Sequence, residues 1–130
     1  MYSWEEKVEV KFQLNRHKDK ITSLAFSSNS ARLVSSSRDR SQLVWDVLLS
    51  GHLLSDLSGQ KDAVRHCGVS KNQQLMLSVC GTEVTVWDFQ SMEAISTLDH
   101  ASQVMKSFFI PDNSGIISHQ DNGTMIVWSL

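Results

Sequence analysis

Gln42-Leu43-Val44-Trp45-Asp46, Val84-Thr85-Val86-Trp87-Asp88 and Met125-Ile126-Val127-Trp128-Ser129 are one pattern written three times. In each, a run rich in apolar and β-branched residues leads into a tryptophan, and in the first two an aspartate follows. The tryptophans stand 42 and 41 residues apart. A fixed period of this length marks a repeat architecture. Each unit is one supersecondary element that buries its apolar faces only by stacking on its neighbours.

Two further series keep the same phase. Residues 21–26, 64–69 and 104–109 (ITSLAF, VRHCGV, VMKSFF) begin 43 and 40 residues apart. Between these and the tryptophan runs lie Arg32-Leu33-Val34-Ser35, Gln74-Leu75-Met76-Leu77-Ser78 and Gly115-Ile116-Ile117-Ser118, each following a polar turn. No segment offers an uninterrupted apolar stripe of helical period. Short strands with turn signals every roughly 8–12 residues predict an all-β fold. A period of about 40–45 residues with four strands per unit is that of a β-propeller blade.

The chain therefore resembles the WD-repeat family. Trp45-Asp46 and Trp87-Asp88 match the family's dipeptide, and Trp128-Ser129 departs from it at the acid. The Gly-His pair that precedes each unit in the family is degenerate here, as Arg16-His17, Gly59-Gln60 and Asp99-His100. Gly51-His52 is a decoy, because it falls in a loop between strands. The resemblance implies a hydrogen-bonded chain inside each blade. A buried indole N–H needs an acceptor. A serine hydroxyl accepts from it and donates to a histidine, whose other nitrogen donates to a carboxylate. Carried over, the first unit holds His17, Ser35, Asp39 and Trp45, and the third holds His100, Ser118, Asn122 and Trp128, with an amide for the acid. The second keeps Ser78 and Trp87 but has Gln60 for the histidine and Gly81 near the missing acid. The first blade is expected to be the best locked and the second the loosest.

The family orders each unit as strands a, b, c and d, from channel to rim. The tryptophans end three c strands, and d strands are expected near 53–58 and 93–98. Residues 8–14 alternate cleanly and read as a d strand without its own a, b and c. The expected divisions are an N-terminal d strand over 1–16, blade 1 over 17–58, blade 2 over 59–98, and blade 3 over 99–130 without its own d strand. In the family, an N-terminal d strand completes the last blade. Propellers need roughly four to eight blades, so about three blades of four strands are too few to close a ring alone. Three arrangements remain open: a remainder of a longer propeller, several copies of this chain completing one, or an open three-blade stack that leaves the edge of residues 8–14 unpaired.

Bulk properties narrow the function. The 130 residues carry a net charge of −2, without the basic stripe that a nucleic-acid grip requires. The longest apolar runs are a few residues, which excludes a membrane-spanning helix. Two cysteines form no disulfide framework. An intracellular site follows, in the cytoplasm, with the nucleus compatible. No zinc-type ligand spacing includes the five histidines, and no metal or cofactor is expected. Residues 121–124 lack the ligand run of a calcium loop and fit a tight turn. Ser27, Ser28 and Ser30, and residues 35–37, read as strand and turn serines. His17, Asp39 and Ser35 imitate a hydrolase triad, but the repeat assigns the serine to a tryptophan, and no catalytic residue is expected.

The function implied is a non-enzymatic scaffold for protein–protein contact, whose rigid blades display loops. The alternative is a structural unit that assembles with itself. The resemblance places the display at the d–a loops and b–c turns. Lys18, Asp19, Lys20, Arg38 and Arg40 come from the first unit, Lys61, Asp62 and Arg65 from the second, and Ser102, Gln103 and Asp121 from the third. Trp4, outside the repeat, is expected to pack under a neighbouring blade, with an exposed anchor for a partner as the alternative.

Overall fold

The computed structural model describes residues 8–130. It contains three antiparallel sheets and, among the described residues, no helix. The first sheet runs β1 (Ile21–Phe26), β2 (Arg32–Ser37), β3 (Gln42–Asp46) and β4 (Leu53–Leu57). The second runs β5 (Val64–Val69), β6 (Leu75–Cys80), β7 (Glu83–Asp88) and β8 (Ala94–Asp99). The third has β9 (Val104–Phe109), β10 (Gly115–Gln120) and β11 (Met125–Ser129). Each sheet is a meander, and the three stack without closing a ring.

One expected strand does not form. Residues 8–14 carry no strand pairing. A strand d bonds only to a strand c, and β3 and β7 already have theirs in β4 and β8. The remaining strand c, β11, lies at the far end of the stack. The described strands thus divide four, four and three, one fewer than the sequence predicts. Trp4 lies outside the described residues.

The core sits between the sheets. Alternate residues of one strand leave by opposite faces, so the second blade contributes to two interfaces, one with each neighbour. Val34 and Val44 of the first blade meet Cys67, Met76 and Phe89 of the second. Leu77, Val79, Val84 and Val86 on the second blade's other face meet Val104 and Ile116 of the third. Each fully buried valine or leucine here contributes roughly 1.5–3 kcal/mol. Ser36 and Gln42, opposite each other on strands β2 and β3, bring polar groups into the layer between the first two blades. Gln42 is fully buried; its amide nitrogen donates to the Leu77 carbonyl at 3.2 Å, and its Oε1 has no partner.

Local chemistry repeats with the blades. In each a–b turn an Asx side chain accepts the amide two residues on: Asn29 from Ala31, Asn72 from Gln74, and Asp112 from Ser114, at 3.0–3.1 Å. Each strand a carries a one-residue bulge at the same place, at Thr22, Arg65 and Met105. Bulges re-aim a side chain, and Arg65 reaches the Met105 sulfur across the inner edge, at 3.7 Å.

Gly115 is fixed by close approach. A Cβ there would stand 2.1 Å from the Trp128 carbonyl oxygen, against 3.4 Å to the nearest atom of Leu77 at Gly68. Gly115→Ala is therefore expected to lose roughly 1–3 kcal/mol in urea denaturation, with Gly68→Ala losing clearly less. Equal losses would show that the Gly115 contact relaxes freely.

Candidate functional site

Three tryptophans anchor polar chains of different completeness. In blade 1 the Trp45 indole donates to Ser35 Oγ at 2.9 Å. His17 Nε2 lies 2.6 Å from that hydroxyl, and His17 Nδ1 lies 3.1 Å from Asp39 Oδ2. One assignment satisfies every member: the hydroxyl donates to Nε2 and Nδ1–H donates to the carboxylate. Asp39 also accepts from the Ser41 hydroxyl and the Lys18 amide. Burial alone would raise the Asp39 carboxyl, but the bonds from Ser41, Lys18 and His17 outweigh it and lower it to about 2.

Blade 3 ends its chain differently from the sequence expectation. Trp128 donates to Ser118 at 3.2 Å, and His100 Nε2 lies 2.6 Å from the same hydroxyl. The other ring nitrogen meets the Leu98 carbonyl at 3.0 Å, and Asn122 takes no part. Asn122 is exposed in the b–c turn, where its Oδ1 accepts the Thr124 amide at 3.0 Å. A backbone carbonyl two residues from the histidine removes the need for the distant side chain. In blade 2 Trp87 donates to Ser78 at 3.0 Å. Gln60 turns away, donating to the Leu57 carbonyl at 3.2 Å. The b–c turn is only Gly81-Thr82, so the position of an acid is deleted outright.

The d–a loops and b–c turns gather at one end of the stack. Backbone bonds tie them together: Arg38 to Lys20, Gln60 to Arg40, His100 to Thr82 and Asp121 to Gln103, at 2.9–3.0 Å. Lys18, Asp19, Lys20, Arg38, Arg40, Lys61, Asp62, Arg65 and Asp121 are exposed there. Ser102 and Gln103 are corrections to the display set. Both are partly buried. The Ser102 hydroxyl bonds Asp121, its amide donates to Gln120 Oε1, and Gln103 Oε1 is enclosed without a partner. Gln120 holds the strand-end place of Ser37 and Cys80 and reaches across to this loop, which draws the loop inward.

The charges at this end are unequally engaged. Asp19 accepts the Lys20 amide, Asp62 the Ala63 amide, and Glu83 pairs with Lys61 at 3.0 Å. Asp39 and Asp121 are bound as above. Lys18, Lys20, Arg38, Arg40 and Arg65 have no ion-pair partner among the described residues.

Two features had escaped sequence reasoning. The acids of the repeated dipeptides organise the c–d turns: Asp46 accepts the Leu48 and Leu49 amides at 3.0 and 3.1 Å, and Asp88 those of Gln90 and Ser91 at 2.8 and 3.0 Å. Amide bonds, Leu49 first for Asp46 and Ser91 first for Asp88, hold both carboxyls below the ordinary range. The second feature is on the inner edge, where His66 meets Ser23 at 3.0 Å and packs edge-on to Phe108. Burial, then the Lys106 and His119 charges, lower the His66 pKa.

The profile of the family described as "WD domain, G-beta repeat" matches residues 8–46. The chain is similar to the WD repeat-containing protein 26 homolog of Arabidopsis thaliana, at 28% identity over 90% of this chain and 20% of that protein. It is also similar to THO complex subunit 3 of Arabidopsis thaliana, at 26% identity over 85% of this chain and 37% of the relative. The chain thus spans between a fifth and somewhat over a third of these relatives. The crystal structure of the RRP9 WD40 repeats superposes with a TM-score of 0.84, at 22% identity, over 90% of this chain and 37% of that one.

Two outcomes are expected from the networks. Trp45→Phe loses more stability than Trp87→Phe, by roughly 1–3 kcal/mol, because it strands a fuller set of buried polar groups; equal losses in urea denaturation contradict this. Asp39 is lowered in the fold from an ordinary 3.8 to about 2. Its stabilisation is complete above the upper value and is lost as pH falls through the lower one. Asp39→Asn should therefore flatten the pH dependence of stability across that window, and a slope equal to the parent's contradicts it.

Proposed function

Because this chain belongs to the WD-repeat propeller family, we propose that it is a non-enzymatic protein-interaction module, which offers the d–a and b–c end of its stack to a protein partner. WD-repeat proteins generally act as interaction scaffolds, and one relative is named as a subunit of a complex. The observation that carries the reading is the unequal engagement of charge at that end. Asp19, Asp39, Asp62, Glu83 and Asp121 accept bonds within the chain, while Lys18, Lys20, Arg38, Arg40 and Arg65 have no acidic partner among the described residues. The partner presents carboxylates to these cations. Arginine is a favoured anchor at interfaces, and a rigid platform loses little entropy when bound.

The same observations disfavour catalysis. Ser35, His17 and Asp39 have the composition of a hydrolase triad, but Ser35 is buried and its oxygen is taken by the Trp45 indole. No cofactor or metal enters the reading. The net charge of −2 disfavours a nucleic-acid partner. Two buried free cysteines support an intracellular setting. No helix among the described residues is long and apolar enough to cross a membrane.

The test places a photoreactive residue at Arg38 or, as a control, at Lys71 in an a–b turn, and compares the adducts formed in cell extract. Protein adducts from Arg38 are expected. The pair Arg38→Glu and Arg40→Glu is expected to weaken capture of the same protein at least about tenfold, the equivalent of one lost anchor of roughly 1.4 kcal/mol. Adducts from Lys71 alone, or capture unmoved by charge reversal, contradict the reading.

A further inference from the structure

The second blade keeps both ends of the polar chain and lacks the ring at its centre. Gln60 stands eighteen residues before Ser78, the separation of His17 from Ser35 and of His100 from Ser118. In blades 1 and 3 the serine accepts the indole proton and meets a histidine Nε2 at 2.6 Å. Ser78 is fully buried and accepts from Trp87 at 3.0 Å, but among the described residues its own hydroxyl has no acceptor. A buried donor left unmade is costly. Gln60 does not serve it, because its amide is committed to the Leu57 carbonyl.

The acidic end of the chain is also in place. In blade 1, His17 Nδ1 lies 3.1 Å from Ser41 Oγ as well as from Asp39. Ser41 is four residues before its tryptophan, and the residue four before Trp87 is Glu83. A carboxylate thus holds the position from which blade 1 contacts the second ring nitrogen, and it stands in for the acid deleted from the turn. Asp99 lies directly opposite Glu83 on β8, a like-charged pair that destabilises two strands unless a donor comes between. Lys61 reaches only Glu83 Oε1, at 3.0 Å, from a side chain that is 81% exposed.

A cavity of about 520 Å³ joins these ends, bounded by Gln60 and Lys61 on the loop and by Glu83, Thr85, Trp87 and Asp99 on the sheet. Trp87 packs into the core shared by the first two blades, so the cavity belongs to an interior seam. Thr85 is the cross-strand neighbour of Ser78 and holds the place of Leu43 in blade 1 and Ile126 in blade 3. Three departures from the other blades therefore meet in one spot: glutamine for histidine, threonine for an aliphatic side chain, and glutamate for a small hydroxyl residue.

We infer that this cavity is a receptor for one neutral imidazole, the side chain of a histidine that a protein partner inserts. Its Nε2 accepts the Ser78 proton, and its Nδ1–H donates to Glu83. Imidazole is selected because it carries an acceptor and a donor on opposite sides of one flat ring. An ammonium or guanidinium group would suit the carboxylates but offers Ser78 no acceptor. A carboxylate or phosphate would suit Ser78 but meets Glu83 and Asp99 as like charges. The site stands on its own geometry; only the choice of a protein as the source of the ring rests on the interaction reading above.

The test titrates N-acetylhistidine methylamide into the whole isotope-labelled chain at a pH of about 8, where a ring of ordinary pKa, roughly 6.5, is neutral. The Trp87 indole resonance, assigned with Trp87→Phe, is expected to move and saturate while those of Trp45 and Trp128 stay. Gln60→His supplies the ring within the chain. It is expected to raise Tm by about 4 °C and to weaken the response to ligand at least about tenfold. The ligand methylated at Nε2, which has no acceptor for Ser78, is expected not to bind. An unmoved Trp87 resonance, an equal response in Gln60→His, or equal binding of the methylated ligand overturns the inference. Free imidazole that binds where the blocked histidine does not overturns the partner as its source. None of these readouts involves Arg38 or Arg40, so a failure here is distinct from a failure of the docking reading.

Discussion

A blade of this protein has two apolar faces, and neither is stable in water. This constraint governs the rest of the structure. A sheet with one apolar face needs one cover; a sheet with two needs a neighbour on each side. Val44 and Trp45 are adjacent in sequence and leave by opposite faces, and a register slip of one residue would exchange them. The bulges at Thr22, Arg65 and Met105 recur at one place in the three a strands, so the inner edge keeps one geometry from blade to blade.

The polar chains answer a problem that this packing creates. Stacking buries the indole nitrogen of a tryptophan at the sheet face, and a buried donor without an acceptor is costly. All three blades solve the first step in one way, with a serine on strand b. They diverge at the second. Blade 1 ends on the Asp39 carboxylate, blade 3 on a backbone carbonyl, and blade 2 turns its glutamine elsewhere. The buried end of the network is shared, and the exposed end varies. The varying end lies in the loops where charge is displayed, so a change of loop chemistry there leaves the packed interior intact.

The all-β class, the blade period, the c strands and the meander order were legible, because alternation and tryptophan spacing are set by the interior. Ser35, His17 and Asp39 were legible because each must meet the next within a short fixed chain. Three things were not. Residues 8–14 have the alternation of a strand, yet a strand needs a partner, and no pattern within seven residues reports whether one is present. Asn122 stood in the right place for a network acid, but the Leu98 carbonyl, an acceptor that every sequence contains, reached His100 first. Ser102 and Gln103 read as polar loop residues, and only the reach of Gln120 from the neighbouring turn reveals that the loop is drawn inward.

Gln42 gives the first blade an individuality that apolar packing alone would not. Apolar side chains tolerate small slips against one another, since no atom in them demands a particular partner. A side-chain amide sunk into that layer does not, because it needs a carbonyl where the second blade presents that of Leu77. A shift of one blade along the other would strand its nitrogen as well as its oxygen in a dry seam. The seam is therefore held in one alignment by a directed bond as well as by packing.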